Sequence, residues 1–241
     1  MPAAQSAYRR DLAQESMFSE FLDLCLYQPI TEILQRPEKK VSFQRVTDLN
    51  MQHAGIDVIY RHRGLTIFID EKSQLHNLNR NIPTFAFELS YLKQGKEMPG
   101  WLLDKRKKTH GYMLCWPRGE RDEYGDIYSG AKVIFLAKKQ LLAFLSEHGY
   151  DEMALRQKAS ELRRSGTPGR HLVQEPDFCF YLTEPKANGL YRERMINVVV
   201  RAAQLEALST AALDISLDRA NSSVQLLGHW GSTEIDECVA V

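Results

Sequence analysis

Residues 55–74, GIDVIYRHRGLTIFIDEKSQ, constrain the fold of this chain more than any other segment. They hold two apolar runs, at 56–60 and 65–69, separated by a short polar link that ends in Gly64. Short runs rich in β-branched residues favour strands, and glycine readily adopts the positive φ that a tight turn needs. The segment therefore predicts a β-hairpin.

Three chemically active side chains lie at the open end of this hairpin. Side chains alternate between the two faces of a strand, so Asp70 and Lys72 share one face while Glu71 points to the other. Asp57 lies on the first strand of the hairpin and comes close to Asp70 at the end of the second. Two carboxylates and one ammonium group are therefore expected to converge at one edge of the sheet.

The two carboxylates need a positive partner. Close carboxylates raise each other's pKa, and burying one without a partner is unfavourable. Mg²⁺ binds such hard oxygens and keeps several waters, and in that position it activates water and polarises a phosphate. Lys72 could orient the water or stabilise charge on the phosphate. The alternative is a solvated strand end, with an Asp57–Lys72 salt bridge worth about 0–1 kcal/mol.

The spacing of these residues resembles the motif of the PD-(D/E)XK nuclease superfamily, which has the restriction-endonuclease-like fold. GID at 55–57 and DEK at 70–72 carry the resemblance, with Ile56 where the family pattern has proline. The resemblance implies a Mg²⁺ site, with Mn²⁺ as a substitute metal. It implies that Asp57 and Asp70 are the acidic ligands and that Glu71 contributes its backbone carbonyl. It also implies that Lys72 serves the attacking water.

Members of this superfamily often add an acid from the first helix. Apolar residues recur at steps of three and four over residues 8–27, which predicts a helix that ends before Pro29. Glu15 borders the apolar stripe of that helix, whereas Glu20 lies near its opposite face. Glu15 is therefore the candidate for a further metal ligand, and a solvated helix flank is the alternative.

Two groups of basic residues are candidate contacts for the phosphates of nucleic acid. One group lies on a helix predicted over residues 100–109, and the other lies on the hairpin turn. They are Lys105, Arg106, Lys107 and Lys108, and Arg61 and Arg63. The chain has 31 Lys+Arg and 31 Asp+Glu, so any attraction to nucleic acid is local, and a solvated helix face is the alternative.

The remaining patterns place the hairpin in an α/β fold. Residues 84–92 fit a strand or the start of a helix, and residues 118–130 read as a polar loop. Strands are predicted at 41–46, 111–116 and 132–136, and helices at 138–148 and 151–164. This order predicts a mixed central β-sheet flanked by helices, that is, a restriction-endonuclease-like core with C-terminal additions.

Composition divides the chain into three parts. Residues 1–165 are the expected nuclease-like core, and the SGTPGR linker begins at the end of it. Residues 166–210 are expected to form a strand-helix extension packed on the core. Residues 211–241 lose periodicity and predict a flexible tail.

The compartment and partners follow from what the sequence contains. Four widely spaced cysteines indicate thiols in a reducing compartment, and the N-terminal residues lack an apolar signal segment. We expect a cytoplasmic protein with no membrane contact, whose partner is nucleic acid, DNA above all; a homodimer is left open. The expected activity is that of a Mg²⁺-dependent nuclease. The alternative is a catalytically silent nucleic-acid-binding module on the same fold.

Overall fold

Two β-sheets and their flanking helices make up the part of the chain that the computed structural model describes. These residues are 3–34, 41–62, 64–123, 125–174, 176–184, 194–218 and 223–230. The fold is α/β, as the order of predicted elements indicates. None of the described helices is both long enough and apolar enough to cross a membrane.

The helices and strands are numbered in chain order. The helices are α1 (Ala3–Leu22), α2 (Gln28–Leu34), α3 (Leu49–His53), α4 (Lys138–Glu147), α5 (Glu152–Ser165) and α6 (Ala202–Leu208). The strands are β1 (Val41–Arg45), β2 (Val58–His62), β3 (Leu65–Ser73), β4 (Thr84–Lys93), β5 (Lys96–Pro99), β6 (Gly111–Arg121), β7 (Asp126–Ala137), β8 (Gly169–Leu172), β9 (Phe178–Leu182), β10 (Ile196–Arg201), β11 (Ala211–Asp218) and β12 (Ser223–Trp230).

Helical backbone continues from α1 through Pro29 into α2. A π-helical turn, Asp23–Tyr27, joins α1 to α2, and Gln28 donates its N–H to the carbonyl of Asp23. The wider turn shifts the hydrogen-bond register just before the proline, so its missing N–H leaves the helical path intact. The helix predicted over 8–27 is confirmed by α1 and the π-helical turn, but its expected end before Pro29 is wrong.

The larger sheet has the strand order β1-β2-β3-β6-β7-β11-β12. All neighbours are antiparallel except β3 and β6, which are parallel. The register pairs Val58 with Ile69 and Asp70 with Tyr112. Asp57, one residue before β2, therefore comes beside Asp70, as the hairpin predicts.

The smaller sheet is antiparallel and has the order β5-β4-β10-β9-β8. Its strands come from both sides of the expected boundary near residue 165, so residues 166–210 complete a sheet that begins with β4. One hydrophobic core includes Phe87 and Phe180 from this sheet and Tyr112 from the larger one. A second core packs α1 and the π-helical turn, through Leu22 and Leu26, against the opposite face of the larger sheet.

Residues 100–109 form turns in place of the predicted helix. Gly100 donates its N–H to the carbonyl of Leu89, and a Cβ at Gly100 would overlap the carbonyl of Glu88. This close crossing ties the segment to β4, and the buried side chains of Leu102 and Leu103 anchor it in the core. These long-range contacts outweigh the local helix propensity.

Two further predictions are corrected by strand pairing. Residues 118–130, expected as a polar loop, lie largely in the arms of the β6–β7 hairpin. Residues 211–218, expected in a flexible tail, form β11, which pairs with β7 and β12 and buries Ala211 and Ile215. The partner strand is distant in sequence, so local periodicity does not reveal it. Residues 231–241 lie outside the described residues.

Three of the four cysteines lie within the described residues. Cys25, Cys115 and Cys179 are buried and form no disulfide among the described residues, and Cys238 lies outside those residues.

Candidate active site

Backbone contacts on two sides place Asp57 at the edge of β2. Its N–H donates to the carbonyl of Ile69 at 2.9 Å, and its own carbonyl accepts from the N–H of Val46 at 2.8 Å. Two residues earlier, Gly55 has a φ of 74°, and a Cβ there would overlap Thr109 Oγ1. The glycine therefore meets both a positive φ and a close approach of another segment.

The side chain of Asp57 is half-buried and faces the second strand of the hairpin. Its Oδ2 accepts a hydrogen bond from the backbone N–H of Glu71 at 2.8 Å. Burial and the negative charge of Asp70 raise the pKa of Asp57 to about 7, although the positive charge of Lys72 opposes the shift. A second cation near this carboxylate would stabilise its charged form and so lower its pKa.

Asp70 is buried but only partly paired. Its side chain is 3% exposed, and its Oδ1 lies 2.6 Å from Lys72 Nζ. Its Oδ2 has no hydrogen-bond partner among the described residues. Leaving a buried carboxylate oxygen without a partner is energetically unfavourable, and a bound ion or water is one of the few explanations for it. The site therefore fits a cation next to Asp70.

Lys72 lies at the end of β3 with its side chain 28% exposed. Burial lowers its pKa, but the charge and hydrogen bond of Asp70, together with the charge of Asp57, outweigh burial and raise the pKa of Lys72. Its Nζ also lies 5.3 Å from the ring centroid of Trp101. Lys72 is therefore a charged group held in place from two sides.

Glu71 faces away from Asp70, as the alternation of side chains predicts. Arg45 donates to both of its carboxylate oxygens, at 2.7 Å and 3.0 Å, and Tyr27 donates its hydroxyl at 2.7 Å. Arg45 also pairs with Asp23 in the π-helical turn at 2.8 Å. The Glu71 side chain is therefore satisfied by protein groups, which leaves its backbone carbonyl as the atom expected to face a metal.

Glu15 lines a cleft of about 250 Å³ together with Asp57 and Lys72. The carboxylate is on the exposed side of α1, so the helix brings it to the mouth of this cleft. Partial burial raises the pKa of Glu15, while the charge of Lys72 acts to lower it. Glu15 thus shares a cleft with Asp57 and Lys72, and also with Glu71 and Arg45, while its role as a metal ligand stays a prediction.

The basic groups lie in different places. Arg106 and Lys107 line a second cleft, where Arg106 pairs with Asp104 at 2.8 Å. Lys107 donates to the carbonyl of His53 at 2.8 Å. Lys105 and Lys108 are exposed on the same turn.

The hairpin turn is remote from the acids. Arg61 donates to Gln44 at 2.9 Å, and it lies four residues beyond Asp57, or roughly 13 Å at the rise of a strand. Arg63 lies outside the described residues. The structure therefore brings the 105–108 turn near Lys72 and leaves Arg61 away from it.

Two site residues escape the sequence patterns. Arg45 reads as a polar residue at the end of a strand, and its pairing with Glu71 spans 26 residues. Trp101 reads as part of a helix, yet Gly100 turns it towards Lys72. In both cases the signal is a long-range contact, although the Gly-Trp pair after Pro99 is a local hint of a turn.

The described residues contain no group of three or more His, Cys, Asp or Glu side chains arranged to hold a metal. Mg²⁺ in proteins is often held by one or two carboxylates, with waters completing the shell, so the pair of Asp57 and Asp70 fits this ion.

Comparisons with protein-family models, with curated proteins and with solved structures find no match for this chain. What the site can do is therefore argued from its own side chains.

Proposed function

We propose that this protein is a Mg²⁺-dependent nuclease that hydrolyses phosphodiester bonds in nucleic acid, above all DNA. The observation that carries the proposal is the buried Asp70, one oxygen of which is paired with Lys72 while the other has no partner among the described residues. Asp57 and Asp70 would hold the ion, with the Glu71 carbonyl. Glu15 is near enough to the cleft to add a water-mediated or direct contact.

The ion, when bound, would polarise a phosphoryl oxygen and lower the pKa of a coordinated water; Mn²⁺ could supply the same chemistry. Lys72 carries a positive charge at neutral pH because Asp70 and Asp57 raise its pKa. It can therefore donate a hydrogen bond to a phosphate oxygen as negative charge develops there. Its contact with Trp101 limits the positions that its ammonium group can adopt.

The support for the reacting groups comes from the other face of β3. Arg45 and Tyr27 hold the Glu71 side chain, and the Glu71 N–H holds Asp57 Oδ2 at 2.8 Å. This chain of contacts fixes one acid relative to the next before substrate arrives. Preorganised groups of this kind lose little free energy to rearrangement during the reaction.

A catalytically silent nucleic-acid-binding module is the second candidate. The observation that favours it is the absence, among the described residues, of a metal-binding group with three acidic, histidine or cysteine side chains. A silent module would bind nucleic acid through the 105–108 turn and would need neither Asp70 nor Mg²⁺. The two functions therefore differ in their dependence on Asp70.

Cleavage of plasmid and oligonucleotide DNA tests the proposal. We expect strand cleavage with Mg²⁺ or Mn²⁺, and we expect Asp70→Asn to lower the single-turnover rate by about 10³-fold or more, since it removes charge but little shape. Lys72→Met should lose turnover to a similar degree with little loss of binding. Asp214→Asn is the matched control, because Asp214 is a half-exposed acid on β11 that pairs with Arg118 on β6. Parental cleavage rates in both Asp70→Asn and Lys72→Met would refute the proposed site.

A further inference from the structure

A second cleft, of about 670 Å³, opens beside the candidate active site. Lys72 lines both clefts, so the two adjoin at this side chain. The walls of the second cleft combine aromatic, basic and acidic groups, among them Trp101, Tyr91, Arg106, Lys107, Glu88 and Asp104, and Arg106 pairs with Asp104. Lysine and arginine side chains outnumber acids in this cleft, whereas the cleft around Asp57 has three acids, Glu15, Asp57 and Glu71, against Arg45 and Lys72.

The indole of Trp101 is a preformed part of this cleft. Gly100 crosses β4 so closely that only a glycine fits, and the N–H of Leu102 donates to the carbonyl of Glu88 at 3.1 Å. The Trp101 ring packs against Phe87 and Tyr112, with centroid separations of 5.5 Å and 5.0 Å. The ring is half-buried, so part of it remains open to the cleft while the rest is fixed. A fixed aromatic surface loses little entropy when a flat ligand stacks on it.

The charges around the indole suit a phosphodiester chain. Lys72 contacts the ring from the side of the candidate active site, and Lys107 and Arg106 lie at the other end of the same cleft. Lysine and arginine side chains are the usual partners of backbone phosphates, and they position the chain without reading its sequence. A strand whose reacting phosphate lies at Lys72 would pass its next nucleotide into this cleft.

We infer that the second cleft binds an unpaired nucleobase, stacked on Trp101, of the same strand whose phosphodiester lies at Lys72. In a duplex the bases are stacked inside the helix, so a base can enter a concave aromatic cleft only when it is unpaired or extruded. The preferred substrate is therefore single-stranded or locally unpaired nucleic acid. This inference rests on the proposed nuclease function and names its substrate class.

Binding in the absence of cleavage tests the inference. The full-length Asp70→Asn protein is titrated, with Ca²⁺ present, against a fluorescent oligothymidine of about 12 nucleotides and against a duplex of the same length. Stacking of one base typically changes affinity by about tenfold or more, so the single strand should bind at least about tenfold more tightly than the duplex. Equal affinity for both, tighter duplex binding or no binding at all would overturn the inference.

Variants of Trp101 test whether its ring causes the tighter binding of single strands. Trp101→Leu in the same background should weaken single-strand binding by about tenfold or more, whereas Trp101→Phe, which keeps a ring, should recover part of the loss. Phe43→Leu is the matched control, because Phe43 is a half-buried aromatic residue in a different cleft, next to Tyr27. If Trp101→Leu does not fold, Trp101→Phe still reports, since quenching of indole fluorescence by the oligothymidine should largely disappear. Quenching that is unchanged, or affinity that is unchanged in both variants, would overturn the inference.

A separate cleavage assay distinguishes this inference from the proposed function. Single-strand binding that depends on Trp101, in a parent protein that cleaves nothing, would support the cleft assignment and refute the nuclease proposal. Mg²⁺-dependent cleavage of duplex and single strand at equal rates, with no effect of Trp101→Leu, would support the nuclease proposal and overturn the cleft assignment.

Discussion

The two faces of β3 carry adjacent buried acids with opposite surroundings. On one face, Glu71 receives hydrogen bonds from Arg45 and Tyr27, and both of its carboxylate oxygens are paired. On the other face, Asp70 is more deeply buried, but only its Oδ1 is paired, with Lys72. Glu71, Arg45 and Tyr27 therefore form a structural cluster in which the charge of Glu71 is balanced. Asp70 has an oxygen that a further positive partner could satisfy. The difference separates an acid that holds the fold together from an acid that is available for chemistry.

The face with Glu71 should give the larger effect on stability. Arg45→Met leaves the Glu71 carboxylate buried without its main partner, and breaking such a pair typically lowers the free energy of unfolding by about 3 kcal/mol. Denaturant unfolding at neutral pH measures the loss. The double variant with Arg45→Met and Glu71→Met should regain most of it, because a buried ion pair replaced by apolar groups of similar size is close to neutral. An Arg45→Met variant as stable as the parent would contradict the structural role given to the face with Glu71.

The Asp57 side of the site should give a smaller effect, which depends on pH. Burial and the charge of Asp70 raise the pKa of Asp57 from 3.8 to about 7, so between those values the folded metal-free protein holds a proton that the unfolded chain has released. The free energy of unfolding therefore falls as pH rises through this window. Asp57→Asn removes the titrating group. Relative to the parent, we expect it to be more stable at about pH 8 than at about pH 5, by roughly 2 kcal/mol after allowance for solvent screening.

Urea unfolding of the parent and of Asp57→Asn, in the presence of a chelator, measures this difference. Asp214→Asn should show no comparable pH dependence, because Asp214 is half-exposed and paired with Arg118. An unchanged difference between parent and Asp57→Asn at the two pH values would mean that Asp57 is an ordinary solvated acid.

The contrast between the two faces was partly predictable. Alternation along residues 65–73 placed Asp70 and Lys72 on one face and Glu71 on the other, because strand geometry is local. The hairpin register, which brings Asp57 beside Asp70, followed from the length of the link. The pairing of Glu71 with Arg45, and the unpaired oxygen of Asp70, depend on segments far apart in sequence, so no local pattern could reveal them.

The same reason explains the errors outside the hairpin. The helix expected over 100–109 is replaced by turns because Gly100 crosses β4, and β11 forms where a tail was expected because it pairs with β7. The turn at Gly100 and strand β11 both depend on contacts with other strands, which a local sequence pattern does not report. The first error also affected the predicted site. Trp101 was expected on a helix, but the turn places its ring 5.3 Å from Lys72 Nζ.

Mg²⁺-dependent stability tests the central claim, that Asp70 is the acid with an open position for a metal. A ligand that binds only the folded state raises the free energy of unfolding by RT ln(1 + [L]/Kd), which is about 1.4 kcal/mol at ten times Kd. The parent and the Arg45→Met, Glu71→Met double variant should both show a rise in melting temperature of a few degrees as Mg²⁺ is added, whereas Asp70→Asn should show none. An equal rise in Asp70→Asn, or a rise lost only in the double variant, would contradict the account.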